Sequence, residues 1–263
     1  MSVDINTDKF FLIAGPCVVE SKEICFEIAE QLKSITTELN IPFVFKASFK
    51  KANRSKLDSF TTIGEEKALQ ILADVKANFN IPILTDVHET TDCELVKDIV
   101  DVIQIPAFLC RQTELLLAAG KTGKTVNIKK GQFVSAEMMQ FAVDKILSTG
   151  NKNIMLTERG TMFGYNDLIV DFRNIPLMKQ TGFPVIFDAT HSVQQPNKSD
   201  GVSGGKPEFI EHLAKCAIVA GANGIFLETH PNPSEALSDG ANMLALSEVK
   251  GLLEKLLKVK IAL

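Results

Sequence analysis

Six cationic side chains follow short apolar segments of the sequence and could together bind a polyanion. They are Lys46, Lys51, Arg54, Arg111, Lys130 and Arg159. Lysine and arginine form charge-assisted hydrogen bonds with phosphate and carboxylate groups. Each of them alone could be a solvated surface residue, but their recurrence after four different segments favours a shared ligand. Because the chain has a formal net charge of −4, this concentration of cations predicts a small polyanionic substrate.

A second set of four residues combines the side-chain types that bind transition metals. Cys17, His191, Glu228 and Asp239 offer a thiolate, an imidazole and two carboxylates. Such a set suits Zn²⁺, Fe²⁺ or Mn²⁺, and a mixture of soft and hard ligands does not select one of them. Spacing alone leaves two alternatives open. Cys17 could be a small buried apolar residue, and His191 could be a general acid or base without a metal.

Eight short apolar segments precede these polar residues and recur with regular spacing. Each is a continuous run rich in β-branched and aromatic residues, which is typical of parallel strands buried on both faces. The segments are 11–15, 42–46, 82–86, 102–106, 125–129, 154–157, 184–188 and 224–228. Segments of helical period separate most of them, at 23–39, 65–79, 114–119, 136–147 and 207–220, and a last one follows at 246–257.

Eight strands alternating with helices predict a closed (β/α)₈ barrel, the α/β TIM-barrel fold, which takes about 250 residues. No linker or change in composition divides the 263 residues, so we expect a single catalytic domain over 1–263 with an N-terminal extension at 1–9. Such barrels carry their active site at the C-terminal ends of the strands. Strand 8 would lie between strands 7 and 1, which brings the four metal-type residues together. The long segment 191–206 is typical of a binding loop.

Composition excludes several classes of partner. An acidic chain lacks the cationic excess that neutralises nucleic acid or an anionic membrane surface. The sequence has no apolar run of roughly 18 residues, the length that would span a bilayer. Its polar start does not resemble a signal peptide, and five scattered cysteines do not form a disulfide framework. We therefore expect no nucleic-acid partner, no membrane association and a cytoplasmic location.

Several motifs, in order along nearly the whole chain, resemble those of the 3-deoxy-D-manno-octulosonate 8-phosphate synthases. The motifs are Ala14-Gly15-Pro16-Cys17, Phe45-Lys46-Ala47-Ser48-Phe49, Lys51-Ala52-Asn53-Arg54-Ser55, Ile103-Gln104-Ile105-Pro106-Ala107-Phe108-Leu109, Asn127-Ile128-Lys129-Lys130-Gly131-Gln132-Phe133, Thr157-Glu158-Arg159-Gly160, Phe163-Gly164-Tyr165, Asp188-Ala189-Thr190-His191, Ser203-Gly204-Gly205 and Glu228-Thr229-His230-Pro231. The resemblance implies an enzyme of lipopolysaccharide biosynthesis that joins phosphoenolpyruvate, arabinose 5-phosphate and water, with release of phosphate.

The resemblance is to the metal-dependent branch of this family. That branch has cysteine where the metal-independent branch has asparagine, and this sequence has Cys17. The other ligands of the branch match His191, Glu228 and Asp239, so a divalent metal (Zn, Fe or Mn) is implied as cofactor. The loop 51–55 differs from the Lys-Pro-Arg-Thr loop typical of the related heptulosonate synthases, which use erythrose 4-phosphate. Lys56 departs from the family, which usually has serine there.

The resemblance also implies roles for individual residues. Lys51, Lys130 and Arg159 would hold phosphoenolpyruvate, and catalysis would fall to His191, Lys51 and Lys130, with His191 assisting proton transfer. The implied substrate-binding residues are Lys46, Ser48, Asn53, Arg54, Ser55, Asp86, Gln104, Ala107, Arg111 and Arg159. Among them, 53–55 would hold the sugar phosphate, and Arg111 would serve a neighbouring subunit of a homotetramer. The segment 203–205 would close over the site.

Two other functions fit parts of the sequence. The first is a Schiff-base aldolase on the same fold, with Lys46 or Lys129 as nucleophile. It would leave Cys17 and Asp239 without a role. The second is a non-catalytic sensor of sugar phosphates, which would be favoured by the loss of a metal ligand or of a cation named above. None of those residues is missing.

Overall fold

Eight parallel strands close into a barrel. The computed structural model describes residues 10–54, 56–162, 166–196 and 204–263. The barrel strands are β1 (Phe11–Gly15), β2 (Phe43–Lys46), β3 (Ile83–Asp86), β4 (Val102–Ile105), β5 (Thr125–Lys129), β6 (Ile154–Glu158), β7 (Val185–Asp188) and β8 (Gly224–His230). Each pairs with the next along the chain, and β8 also pairs with β1, from Phe11 opposite Gly224 to Gly15 opposite Glu228. This last pairing closes the sheet and confirms the predicted (β/α)₈ barrel.

Helices connect the strands. They are α1 (Lys22–Glu38), α2 (Glu65–Phe79), α3 (Thr90–Val96), α4 (Thr113–Lys121), α5 (Met139–Leu147), α6 (Asn174–Lys179), α7 (Ile210–Val219) and α8 (Val249–Ile261). Helices α3 and α6 were not predicted from the sequence, because six or seven residues are too few for a helical period to repeat. Among the described residues, no helix is long and apolar enough to cross a membrane.

The barrel interior changes from apolar to charged along the strands. An inner apolar cluster consists of Phe11, Ile13, Val44, Leu84, Val102, Met155, Ile186 and Phe226. Residues two positions apart on a strand point to the same face. Two positions beyond five of these apolar residues stand Lys46, Asp86, Gln104, Asp188 and Glu228, all of them buried. The same alternation that packs the inner core therefore places polar groups at the C-terminal ends of the strands.

A second, larger apolar cluster lies between the strands and the helices. Helix α1 shows how the sequence builds it, since Ile28, Ala29 and Leu32 are buried along one face. The side chain of Ser21 accepts a hydrogen bond from the backbone N–H of Ile24 and caps the first turn, which satisfies a donor that has no partner within the helix. Helix capping and apolar periodicity thus determine where the helices form and which face they bury, and this buried face packs against the strands.

Gly15, at the end of β1, permits the close approach of β2. A β-carbon built on Gly15 would lie 2.0 Å from the backbone oxygen of Lys46, so alanine would force the two strands apart. We expect Gly15→Ala to lower the free energy of unfolding by about 1–3 kcal/mol or more, as measured by urea denaturation. Gly251→Ala in α8 is the control, because nothing lies within 4 Å of its added β-carbon. A Gly15→Ala protein as stable as the unmodified chain would contradict this packing argument.

Candidate active site

A cavity of about 990 Å³ opens at the C-terminal ends of the barrel strands. It is lined by most of the site residues predicted from the sequence: Lys46, Ser48, Lys51, Asn53, Arg54, Asp86, Gln104, Ala107, Arg159, His191, Glu228 and Asp239. Ser55, Ser203 and the extension at 1–9 lie outside the described residues. The cavity combines cations, carboxylates and two imidazoles, those of His88 and His191, which is the composition of a site for a charged small molecule rather than for an apolar ligand.

Three of the expected metal ligands meet beside this cavity. Ligand atoms of Cys17, Glu228 and Asp239 all lie within 4.8 Å of one another, and the Cys17 Sγ is 3.4 Å from Asp239 Oδ2. Cys17 follows β1, Glu228 lies in β8, and Asp239 follows β8 with a left-handed φ of 52°. Closure of the barrel between β8 and β1 therefore brings together residues that are 222 positions apart.

His191 faces the same group from the end of β7. Its Nδ1 lies 2.9 Å from Asp188 Oδ2, and its Nε2 lies 3.9 Å from Glu228 Oε2. The other carboxylate oxygen of Asp188 accepts hydrogen bonds from the backbone N–H groups of Thr190 and His191. A carboxylate on one ring nitrogen fixes the imidazole and leaves the other nitrogen for a metal or a proton.

The donor set fits a divalent cation. Glu228 is fully buried, and its Oε2 has no hydrogen-bond partner within the part of the chain that the structure describes. Burial alone would raise the pKa of Glu228, but electrostatic interactions with Lys46, His191 and Lys51 hold it well below its usual range. Burial, together with Glu228, raises the pKa of the Cys17 thiol. A cation at this point would stabilise the thiolate and supply the missing partner of the carboxylate oxygen.

Three cations are buried around the cavity floor. Lys46 Nζ donates to Glu228 Oε1 at 2.6 Å and to the backbone oxygen of Cys17 at 2.7 Å. Lys129 Nζ lies 2.6 Å from Asp188 Oδ2. Arg159 Nη2 donates to Gln194 Oε1 at 3.0 Å and, at 3.3 Å, to the backbone oxygen of His191. These contacts hold the positive groups in fixed positions before any ligand arrives.

Lys51 and Arg54 approach the cavity from the segment after β2. Burial would lower the pKa of Lys51, but electrostatic interactions with Cys17, Glu228 and Asp86 raise it well above its ordinary value, so its ammonium group stays charged. Arg54 is exposed, and its Nη1 donates to the backbone oxygens of Leu57 and Ser59, both at 2.9 Å. Lys51 thus belongs to the buried end of the cavity and Arg54 to its rim.

Polar atoms without partners face the cavity on the side of β2, β3 and β4. They are Ser48 Oγ, Asp86 Oδ1 and Gln104 Oε1, which are buried and make no hydrogen bond to any described residue. The second oxygen of Asp86 lies 3.2 Å from His88 Nε2. Buried polar groups in proteins are nearly always hydrogen-bonded. Unpartnered ones on a cavity wall are therefore positions where a polar ligand or water would bind.

The structure does not bring Lys130 or Arg111 to this cavity. Lys130 follows β5 and its side chain points away from the barrel interior, because Lys129 points inward and successive side chains alternate. Lys130 is fully buried and is absent from the cavity lining, so its expected contact with substrate stays a prediction, which this geometry does not favour. Arg111 is exposed and lines a separate cavity of about 300 Å³.

Several lining residues were not predicted as site residues of the synthase, although Lys129 was considered as the nucleophile of a Schiff-base aldolase. They include Lys129, His88, Gln132 and Gln194, with Asp188 behind them as the partner of Lys129 and His191. Lys129 could have been found from the sequence, since it stands two positions after Asn127, a buried polar residue of the same strand. The position of Gln194 depends on the path of the segment after β7, for which the sequence gives no periodic signal.

Known proteins similar to this chain cover nearly its full length. A family model described as the DAHP synthetase I family matches residues 3–263. A protein of Koribacter versatilis named 2-dehydro-3-deoxyphosphooctonate aldolase is 53% identical over 98% of this chain and 94% of its own length. Proteins of the same name from Cyanothece and from Francisella tularensis subsp. holarctica are 50% and 52% identical, over 97% and 95% of this chain and over 93% and 91% of their own lengths. The chain therefore belongs to the DAHP synthetase I family, among the 2-dehydro-3-deoxyphosphooctonate aldolases.

Proposed function

We propose that this protein condenses phosphoenolpyruvate with D-arabinose 5-phosphate and water to form 3-deoxy-D-manno-octulosonate 8-phosphate and phosphate. The observation that carries the proposal is the meeting of two groups at one cavity. Lys46, Lys51 and Arg159 line it together with Lys129, and the cluster of Cys17, Glu228 and Asp239 lies beside them. Phosphorylated substrates need the cations, and an aldehyde acceptor is activated by a Lewis acid.

Phosphoenolpyruvate is assigned to the buried end of the cavity. Lys51, Lys129 and Arg159 would hold its phosphate and carboxylate through charge-assisted hydrogen bonds. Lys129 replaces Lys130 in this assignment because Lys129 lines the cavity and Lys130 does not. Ser48, Gln104 and Asp86 carry the unpartnered polar atoms of the same region, and Ala107 leaves space above them. These groups would position the substrate for attack on one face.

The sugar phosphate is assigned to the rim. Asn53 and Arg54 are exposed residues of the cavity lining, and Ser55 would complete a phosphate site with them. We further propose that Arg111 serves the cavity of a neighbouring copy in a homotetramer, since it lies away from the cavity of its own chain. The enzyme would act in the cytoplasm, in lipopolysaccharide biosynthesis, with no nucleic-acid or membrane partner.

The proposed reaction makes one carbon–carbon bond and one carbon–oxygen bond, and it breaks one carbon–oxygen bond. The enol carbon of phosphoenolpyruvate attacks the aldehyde carbon, and the aldehyde oxygen takes up a proton. Water adds to the cationic carbon that bears the phosphate and loses a proton. Phosphate then leaves with its bridging oxygen, and the hydroxyl group that came from water gives up its proton to the departing phosphate as the ketone forms. His191, held through Nδ1 by Asp188, is the residue best placed to assist a proton transfer.

A divalent metal (Zn, Fe or Mn) is proposed as cofactor. Cys17, Glu228 and Asp239 would hold it together with the Nε2 of His191. When bound, it would supply a Lewis acid and a template for the aldehyde and water. Gln194 would contribute by keeping Asp239 in place, since its Nε2 donates to Asp239 Oδ1 at 3.3 Å.

The choice of sugar tests the proposal most directly. We expect phosphate release from phosphoenolpyruvate to require arabinose 5-phosphate and to be far slower with erythrose 4-phosphate. The measurement is a phosphate-release assay with each sugar and with neither, with the product identified by mass spectrometry. Equal turnover with the two sugars would overturn the assignment of arabinose 5-phosphate.

Two additional measurements, borohydride trapping and substrate binding, would test the rival functions. A stable lysine adduct on Lys46 or Lys129 after borohydride treatment with substrate would favour a Schiff-base aldolase. In the structure both lysines already bind buried carboxylates, Glu228 and Asp188. Tight binding of both substrates without any turnover would favour a sensor.

A further inference from the structure

Lys130 has a buried ammonium group that the proposed reaction does not use. Its Nζ donates to the backbone oxygens of Gly131 at 3.2 Å, Val134 at 3.4 Å and Gly160 at 3.4 Å. It also donates to the hydroxyl of Thr161 at 3.2 Å. One ammonium group thus joins the segment after β5 to the segment after β6, on the outer side of the barrel wall.

Glu158, the last residue of β6, balances this charge. Its Oε1 lies 3.6 Å from Lys130 Nζ and accepts a hydrogen bond from the backbone N–H of Gly160 at 2.6 Å. Both side chains are fully buried. Gly160 has a φ of +89°, a conformation that glycine adopts without strain. The ion pair of Lys130 and Glu158 therefore holds the turn at Gly160 in place, through the hydrogen bond from Gly160 to Glu158.

The two joined segments carry residues of the cavity wall. Gln132 comes from the first, and Arg159 and Met162 come from the second. The backbone N–H of Met162 also donates to the oxygen of Gln132 at 3.0 Å. At the end of each of the two strands, an inward residue and an outward residue are adjacent: Lys129 ends β5 and precedes Lys130, and Glu158 ends β6 and precedes Arg159. The outward ion pair thus lies directly behind the inward cations.

We propose that Lys130 is a positioning residue, which acts with Glu158 to hold Arg159 and Gln132 in the geometry that binds phosphoenolpyruvate. A buried ion pair is weak evidence for a stabilising role, because well-packed apolar residues in its place often give a protein that is equally stable or more stable. Five polar contacts from the ammonium group of Lys130 to two segments of the cavity wall would, in contrast, fix the orientation of those segments relative to each other. This inference rests on the proposed function in one respect, the assignment of Arg159 to the binding of phosphoenolpyruvate.

The test separates positioning from stability with four variants. Lys130→Met leaves Glu158 unpaired, whereas Lys130→Met combined with Glu158→Gln removes both charges. Lys130→Arg is the conservative variant. Lys152→Met, at an exposed lysine before β6, is the matched control. For each protein the melting temperature, kcat, and the KM values for phosphoenolpyruvate and arabinose 5-phosphate would be measured.

We expect Lys130→Met and the double variant to lose kcat/KM for phosphoenolpyruvate on the order of 10- to 100-fold, the scale of a misplaced binding group. The KM for arabinose 5-phosphate should not change, and Lys130→Arg should recover most of the loss. The double variant should fold even if Lys130→Met does not, because it leaves no unpaired charge. Folded variants with normal kcat/KM for phosphoenolpyruvate would overturn the inference, and so would failure of both to fold.

Calorimetric titration with phosphoenolpyruvate keeps this inference distinct from the proposed function. If the unmodified protein binds phosphoenolpyruvate but does not turn it over with arabinose 5-phosphate, the proposed function fails. The variants are then compared by their Kd for phosphoenolpyruvate, where the same loss is expected. An unmodified protein that does not bind phosphoenolpyruvate would overturn both.

Discussion

Removal of divalent metal by a strong chelator is expected to reduce condensation on the order of 1000-fold, which corresponds to the several kcal/mol that a Lewis acid contributes to a transition state. The reason lies in the geometry of Cys17, Glu228 and Asp239, whose ligand atoms converge beside the cavity. The measurement is the rate of phosphate release before chelation, after chelation, and after addition of Zn²⁺, Fe²⁺ or Mn²⁺. Metal content would be measured in parallel by mass spectrometry.

Two cysteine variants control this experiment. Cys216→Ser, at an exposed cysteine outside the cluster, should keep both metal content and activity. Cys17→Asn should lose metal and keep partial activity, because the family resemblance includes a metal-independent branch with asparagine there. Full activity of the unmodified protein without metal would contradict the cofactor assignment. A folded but wholly inactive Cys17→Asn would contradict the metal-free alternative at this position.

Replacement of Arg159 by methionine is expected to lower kcat/KM for phosphoenolpyruvate about 100- to 1000-fold, the usual effect of losing one fixed donor to a developing negative charge. Arg159 is 4% exposed, and its contacts with Gln194 and His191 aim the guanidinium into the cavity. Water cannot easily replace so enclosed a donor. Initial rates at varied phosphoenolpyruvate, with arabinose 5-phosphate saturating, would measure the loss.

Two further arginine variants make this prediction specific. Arg159→Lys should lose less than Arg159→Met, because lysine keeps the charge but not the planar fork that binds phosphate through two hydrogen bonds. Arg173→Met should have no effect, since Arg173 forms an exposed surface pair with Asp171. An Arg159→Met protein that keeps the normal KM and kcat would remove Arg159 from the proposed phosphoenolpyruvate site.

The strands of this protein follow directly from its sequence. The bounds of β1 and β5 agree with the predicted segments, and those of the other six strands differ by at most two residues at either end. Strands buried on both faces are continuous apolar runs, so they are conspicuous in a chain whose helices are amphipathic. Because all eight strands could be recognised in this way, the eight-stranded barrel was predictable. The end of the barrel at which the polar residues lie was predictable with it.

The residue types that line the cavity were predictable from the sequence. Which side chains point into the barrel was not predicted at every position. Lys129 and Lys130 are adjacent and chemically identical, and only one of them can point into the barrel. The alternation of strand residues decides between them, and it selects Lys129. The family resemblance assigned the substrate role to Lys130, because both lysines belong to the same motif and the motif does not show which of them points into the barrel.

By itself, the sequence determined the strands, the barrel and the residue types available for chemistry. These depend on short apolar segments and on their order along the chain. Tertiary structure alone decided how these residues meet. Closure of β8 on β1 places Cys17 beside Asp239, and burial leaves Glu228 Oε2 without a partner among the described residues. Asp188 orients His191, and the pair of Lys130 and Glu158 joins two segments behind the cavity. Contacts between distant residues depend on distances that only the closed barrel sets.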